Sequence, residues 1–398
     1  MELFKNTNID FLGKKWYFLG FSLIFSIAGI LSMVFWHGIP LGVDFKGGTD
    51  VYVKFTQPPD IDAVRHAIDA AGFHNPRIQP YDVPSAHQVL IALEQKESNE
   101  QALDQAKTQV IDALEKRFGK NQEGRVDINN SSSTAIRDFL LQTDPLHAGT
   151  DANQLYTDQA QAIVRFRDQN KGGVLASFDD LNGVARPEVV AALKNGAYLS
   201  QFAVRNVEIV GPQVGKQLQR QAWLATAYSL AGMLVYLAFR FEWIYGVAAV
   251  VAVFHDTLIT VGAFSLTNKE ITLTVIAAIL TLIGYSMNDT IVIFDRIREN
   301  VKIMRRETLS EIVNRSINQT LSRTVLTSGL TFLTVLSLYL FGGEVLRGFS
   351  FALVIGILIG TYSSIAVAAP MLVAYQDWRA RKTGASVVPG VRRGRASA

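Results

Sequence analysis

The sequence predicts a six-helix membrane protein with an α+β, ferredoxin-like domain between its first and second spans, the domain carrying a helical insert. Three observations lead there. The 398 residues are 49% hydrophobic and only 18% charged, and the mean hydropathy is +0.19, high for a soluble chain. Six apolar runs are long enough to cross roughly 30 Å of hydrocarbon. About 180 mostly polar residues, with strand and helix patterns in alternation, part the first run from the other five.

Residues 1–15 form a short amino-terminal segment and 16–36 the first span. That run follows Lys14 and Lys15. It lacks the short core and small-residue cleavage site of a signal peptide, so it reads as a retained helix. The polar segment covers 37–219. The later spans are 222–240, 243–265, 271–294, 324–341 and 349–375, with a loop at 295–323 and a basic tail at 376–398. Lys and Arg set the orientation. Lys5, Lys14 and Lys15 precede the first span, Arg240 follows the second, and Arg296, Arg298, Lys302, Arg305, Arg306 and Arg315 follow the fourth. The tail adds Arg379, Arg381, Lys382, Arg392, Arg393 and Arg395, and its Gly384, Pro389 and Gly390 predict disorder. The opposite short loops offer only Lys269 and Arg347. The rich side is predicted to be cytoplasmic, with both termini inside and the polar domain outside.

Within that domain, GGTDVYVKF (47–55) and HQVLIAL (87–93) alternate like strands. Residues 60–72 place apolar side chains at 61, 64, 68 and 71, between an Asp cap and a closing glycine. Residues 98–119 predict a second amphipathic helix, and GRVDINNSS and 201–211 further strand. Residues 131–198 interrupt the alternation as a helical insert. Its order resembles the helix-hairpin-helix unit of DNA-uptake and secretion proteins, but the glycine-rich, phosphate-contacting hairpin is missing. A spacer or protein-contact module is therefore expected, and no nucleic acid.

Composition excludes other classes. There is no cysteine, so disulfides and cysteine-based metal or redox chemistry drop out. GVDFKGG lacks the Gly-Lys-Ser/Thr ending that cradles phosphates. No enzyme activity, cofactor or metal is expected.

What stands out is acid inside the membrane. Asp289 lies six residues before Asp295, about 9 Å deeper along a helix. A charged carboxylate there costs at least about 2.5–3.5 kcal/mol. Desolvation disfavours its charged form, which suits a group that loads and releases protons. Arg323, at the start of the fifth span, is expected at matching depth. Thr320, Thr324, Thr327, Thr331 and Thr334 recur every three or four residues beside it, predicting one hydroxyl stripe. His255 and Asp256 in the third span form a second cluster, about 20 Å from Trp243 along the helix. If both acids open on one cavity, a two-step relay follows. The structural alternatives are an ion pair at Asp289, an Arg323 that snorkels to the interface, hydroxyls that only glue helices, and a His255–Asp256 helix contact.

Five separated motifs carry a resemblance. GVDFKGGT (42–49), VGPQVGKQL (210–218), FHDT (254–257), LIGYSMNDTIVIFDRIREN (282–300) and NQTLSRTVLTS (318–328) stand in the order found in the SecF family, and the chain is similar to it throughout except at the insert. The resemblance implies half of a resistance-nodulation-division type membrane fold, in the multi-pass inner membrane subunit of the bacterial SecDF export complex. It implies SecD, the SecYEG channel, YajC and the translocating preprotein as partners, and use of the proton motive force. The Asp of the family's NDT motif, which includes Asn288, falls on Asp289, and the Arg of its SRT motif on Arg323; Thr327 lies one turn beyond. Two rival readings stay open here: a scaffold without energy coupling, and a small-molecule exporter, for which the external part is too short.

Overall fold

The computed structural model describes residues 7–73, 76–81, 86–94, 100–119, 125–304 and 306–383. Lys5, Arg305 and the tail from 384 onward, including Gly384, Pro389, Gly390, Arg392, Arg393 and Arg395, lie outside the described residues. The chain divides into two compact units, Val43–Gln217 and the remainder.

The chain enters through α1 (Lys15–Leu31), which continues as a π-helical turn, Ser32–Trp36. The inner unit then begins with α2 (Val43–Lys46), β1 (Gly48–Phe55), α3 (Ile61–Ala70), β2 (Arg77–Tyr81), β3 (Gln88–Glu94) and α4 (Glu100–Phe118). The insert follows: β4 (Val126–Asp127), α5 (Ser133–Thr143), α6 (Ala152–Arg165), α7 (Pro187–Gly196) and β5 (Ala197–Tyr198). Strand β6 (Phe202–Val210) closes the unit.

The four-stranded sheet has the order β2-β3-β1-β6, antiparallel throughout. With α3 and α4 as the two crossovers this is the ferredoxin-like βαββαβ arrangement. The period-2 pattern explains the register. Val51 faces Ile91 and Val53 faces Val89 across β1 and β3. Their side chains share a core with Val64 and Ile68 of α3, Leu114 of α4 and Phe202 of β6. Helix α3 starts where its Asp cap predicts: the Asp60 carboxylate accepts from the Asp62 and Ala63 amides at 3.0 and 3.3 Å. Ile91→Ala, at a site with no solvent exposure, is expected to cost about 2–5 kcal/mol. A fall in the unfolding midpoint of the full chain in detergent measures it.

The insert has its own core, built on Ile136, Leu140, Tyr156, Ile163, Val189 and Leu193. GRVDINNSS is strand only at Val126–Asp127; its asparagines do something else. Asn129 donates to the Leu175 and Ser200 carbonyls at 3.1 and 2.8 Å and accepts from the Leu175 amide at 2.9 Å. Asn130 donates to Asp127 and accepts from the Val204 amide at 2.9 Å. The buried Asn129 and half-buried Asn130 side-chain amides thus take over backbone groups that a strand would have paired.

The first two motifs of the sequence meet here. Gly47 has φ +76°, and a Cβ on it would lie 2.7 Å from Pro212 Cα; a Cβ on Gly215 would lie 3.1 Å from the Phe45 carbonyl oxygen. GVDFKGGT and VGPQVGKQL are glycine-rich because their backbones touch. Gly47→Ala is expected to cost more than about 1 kcal/mol, since neither the left-handed backbone nor the space admits a side chain. Thermal unfolding of the full chain in detergent checks this.

Helix α8 (Pro212–Arg240) begins in the Val43–Gln217 unit; the other unit resumes at its Leu218 and continues with α9 (Trp243–Leu266), α10 (Leu273–Ile303) and α11 (Leu309–Phe341). It ends with α12 (Glu344–Ser363), a π-helical turn Ser364–Ala368, and α13 (Ala369–Thr383). Among the described residues six helical runs are long and apolar enough to cross a membrane: Lys15–Trp36, Pro212–Arg240, Trp243–Leu266, Leu273–Ile303, Leu309–Phe341 and Val345–Arg379. Two expectations need correction. The segment 295–323 is not a loop. Helix α10 runs on to Ile303, and α11 begins at Leu309, where Thr308 and Glu311 form a reciprocal capping box. Its charges decorate helix surfaces instead; Arg296 bonds Glu299 at 2.6 Å and Arg240 reaches Asp295 at 3.0 Å. The tail from 376 is helical as far as Thr383, with Arg381 and Lys382 in the last turn, where the helix dipole favours cations.

Candidate functional site

Helix α10 carries Asp289 on its buried face, together with Leu282, Ser286, Thr290 and Ile293. This face repeats at three and four residues, so the acid is held inward by its apolar neighbours. Asp289 is 2% exposed. Its carboxylate accepts from Ser328 Oγ of α11 at 2.8 Å, with Thr361 Oγ1 of α12 more distant at 3.5 Å.

Asp256 of α9 is 1% exposed. One carboxylate oxygen accepts from Ser286 Oγ of α10 at 2.5 Å and from Ser363 Oγ of α12 at 2.8 Å. The other lies 3.0 Å from His255 Nδ1. The His255 Nε2 is buried with no hydrogen-bond partner among the described residues. Next to Asp289 and Ser363 in sequence, Thr290 Oγ1 and Ser364 Oγ are 2.9 Å apart.

Each acid therefore sits in a cradle of hydroxyls from two other helices, and α12 serves both. The helices can come this close because of a glycine. A Cβ on Gly360 would lie 3.0 Å from Ser286 Cβ. Small residues at such contacts let membrane helices pack backbone to backbone. The π-helical turn begins at Ser364, directly after the bonding hydroxyls. Such turns occur often at functional sites because they re-aim side chains.

The structure does not bring together everything the sequence predicts. Arg323 is exposed on α11; it makes no direct ion pair with Asp289, whose bonds are to hydroxyls, but its charge is near enough to act on the carboxylate. The expected threonine stripe is divided. Thr320 and Thr324 are buried, and the buried face continues through Ser328 to Val335. Thr327 and Thr334 are exposed and donate to their own helix, to the Arg323 and Leu330 carbonyls at 3.0 Å. Packing of α11 chooses Ser328 over Thr327, one residue away. Asn288 is likewise exposed. Ser328, Thr361, Ser363 and Ser364 are not among the sequence-predicted site residues. The signal for three of them was the run TYSS (361–364) in an otherwise apolar span.

Comparisons with known proteins agree on a family. The family model for the protein export membrane protein SecD/SecF, C-terminal, matches residues 190–378. A protein translocase subunit SecF from Koribacter versatilis is 65% identical over 395 residues, 98% of this chain and 97% of the relative. A subunit of the same name from Escherichia coli O157:H7 is 33% identical, over 91% of this chain and 86% of the relative. The crystal structure of SecDF, a translocon-associated membrane protein from Thermus thermophilus, superposes with a TM-score of 0.64 at 29% identity. That match covers 94% of this chain, which spans 39% of the longer SecDF chain.

Proposed function

Because this chain belongs to the SecF family of protein translocase subunits, we propose that it uses the proton motive force, together with SecD, to assist preprotein export across the bacterial inner membrane. The SecYEG channel, YajC and the emerging preprotein are its further partners. The lysine-rich and arginine-rich side, with both termini, lies in the cytoplasm, and Val43–Gln217 faces outward.

The observation that carries the reading is Asp289, an acid enclosed by three helices of the membrane unit and bonded by neutral hydroxyls, with no ion-pair contact among the described residues and the charge of Arg323 acting on it from farther off. An acid kept only as a structural ion pair would need its cation. An acid bonded by neutral hydroxyls tolerates both protonation states, because a hydroxyl can donate to a carboxylate or accept from a carboxyl. Loss of the proton creates a charge that attracts Arg323 and biases the packing of α10 against α11. Arg323, Thr327 and Thr334 share an exposed polar face, a poor match for lipid and a good one for a helix of SecD.

The test is completion of export in inverted membrane vesicles after ATP has been removed. Vesicles holding this chain and SecD are expected to finish translocation only under an imposed gradient. Arg323→Gln is expected to slow that step about tenfold while the complex stays assembled. A scaffold without energy coupling predicts equal completion with and without the gradient.

A further inference from the structure

We infer that Asp256 is a second proton-carrying carboxylate of the transport path, coupled to Asp289 through the Thr361–Ser364 segment of α12. The inference rests on the proton reading of Asp289 and extends it to α9.

Three observations carry it. The first is the matching construction of the two sites. Asp256 and Asp289 are both buried, and both draw hydroxyls from two helices other than their own. A contact that merely held helices together would not need a carboxylate, which is costly to bury whenever it is charged.

The second is the shared helix. Thr361 reaches Asp289 and Ser363 bonds Asp256, two residues apart on α12. Thr290 and Ser364 add a further hydroxyl contact between α10 and the start of the π-helical turn, one residue beyond Asp289 and Ser363 in sequence. A movement of α12 that serves one acid therefore disturbs the other.

The third is a choice of acceptor at Ser363. Its hydroxyl lies 2.8 Å from Asp256 Oδ2 and 3.1 Å from the Gly360 carbonyl oxygen. It has one proton to donate. With Asp256 charged, the carboxylate is the stronger acceptor. With Asp256 protonated, its oxygen is the weaker acceptor, and the Gly360 carbonyl competes better for the hydroxyl. Gly360 lies against Ser286, the other donor to Asp256. The switch thus sits at the α10–α12 contact itself. The proton count is simple: one proton arrives on Asp256, cancels its charge, and leaves when the carboxylate reforms.

His255 is the ionisable neighbour on the same helix. Among the described residues, Tyr285 and Asp289 of α10 and Arg347 and Tyr362 of α12 are ionisable groups with buried polar atoms on the helices packed against α9. Tyr362 is taken up by the Phe18 carbonyl of α1. The buried polar residues of α1 and the last π-helical turn are Ser22 and Ser364.

The experiment uses the full chain with SecD, in vesicles and in reconstituted membranes. Asp256→Asn keeps an oxygen for both serines and removes the titrating group. It is expected to slow gradient-driven completion about tenfold and to remove one titrating carboxyl band from the infrared difference spectrum. Ser363→Ala is expected to shift the pH at which that band titrates and to slow completion roughly 2- to 30-fold. Ser363→Thr restores the hydroxyl and is expected to return both toward wild type. If Asp256→Asn keeps the wild-type rate, pH profile and infrared spectrum while Asp289→Asn is inactive, this inference falls and the proton reading stands. If both variants keep gradient-driven completion, the proton reading fails with it. Should Asp256→Asn not assemble with SecD, Ser363→Ala decides: an unshifted band overturns the coupling.

Discussion

Asp289→Asn is expected to abolish gradient-driven completion of export, by about a hundredfold or more, with little change in assembly. The asymmetry follows from the cradle. Asparagine has nearly the shape of aspartate and keeps an oxygen for Ser328 Oγ, which lies 2.8 Å away in the native chain. The packing of α10 against α11 and α12 is thus preserved. What is lost is the ability to hold and release a proton. The uncharged amide also removes an insertion cost of at least about 2.5–3.5 kcal/mol for the charged acid, so the variant chain is expected to be at least as stable as wild type. Measured stability that rises or holds while gradient coupling disappears is the signature of a functional acid. A structural acid would show the reverse.

Gly360→Val is expected to be the most damaging single change away from the acids. A bare Cβ would already approach Ser286 Cβ to 3.0 Å and its Oγ to 3.3 Å. The two methyls of valine have nowhere to go, and overpacking of this kind costs typically 1–3 kcal/mol. The larger effect is on geometry. Pushing α12 from α10 draws Ser363 from Asp256 and Thr361 from Asp289 together, so both cradles open at once. Gradient-driven completion is expected to fall at least as far as in Asp256→Asn, with assembly only partly reduced. Gly360→Ala is expected to be milder, since Ser286 needs to yield by only a few tenths of an ångström. The same vesicle assay, paired with recovery of the SecD complex, measures both variants.

Much of this molecule is legible from its residues. The six apolar runs, the Asp60 cap and the alternation at Val51, Val53, Val89 and Ile91 each follow from one local rule, and they give the membrane class and the sheet. The acids stand out for the same reason: a carboxylate in an apolar run carries an insertion cost that something in the fold has to offset. Their partners are harder to see. Serine and threonine hide well in membrane helices because they bond their own backbone, as Thr327 does with Arg323. Which hydroxyl turns inward is settled by packing. Thr327 and Ser328 are neighbours in sequence, yet only Ser328 reaches Asp289. The repeat at residues 320 to 334 runs in steps of four and three, while the buried face follows the contacts of α11 from Thr324 to Ser328 and on to Val335. The segment 295–323 misled for another reason. Charge density marks where a helix leaves the hydrocarbon, not where it ends, and the capping box at Thr308 and Glu311 is the better sign of a helix start.

The central claim is that Asp289 carries a proton linked to transport. The most direct measurement is proton movement during translocation, followed with a pH-sensitive dye inside vesicles that hold this chain, SecD and the SecYEG channel. A proton current is expected to appear with a translocating preprotein in the wild-type chain and to be absent in Asp289→Asn. An equal current in the Asp289→Asn variant, with export completed at the wild-type rate, would contradict it.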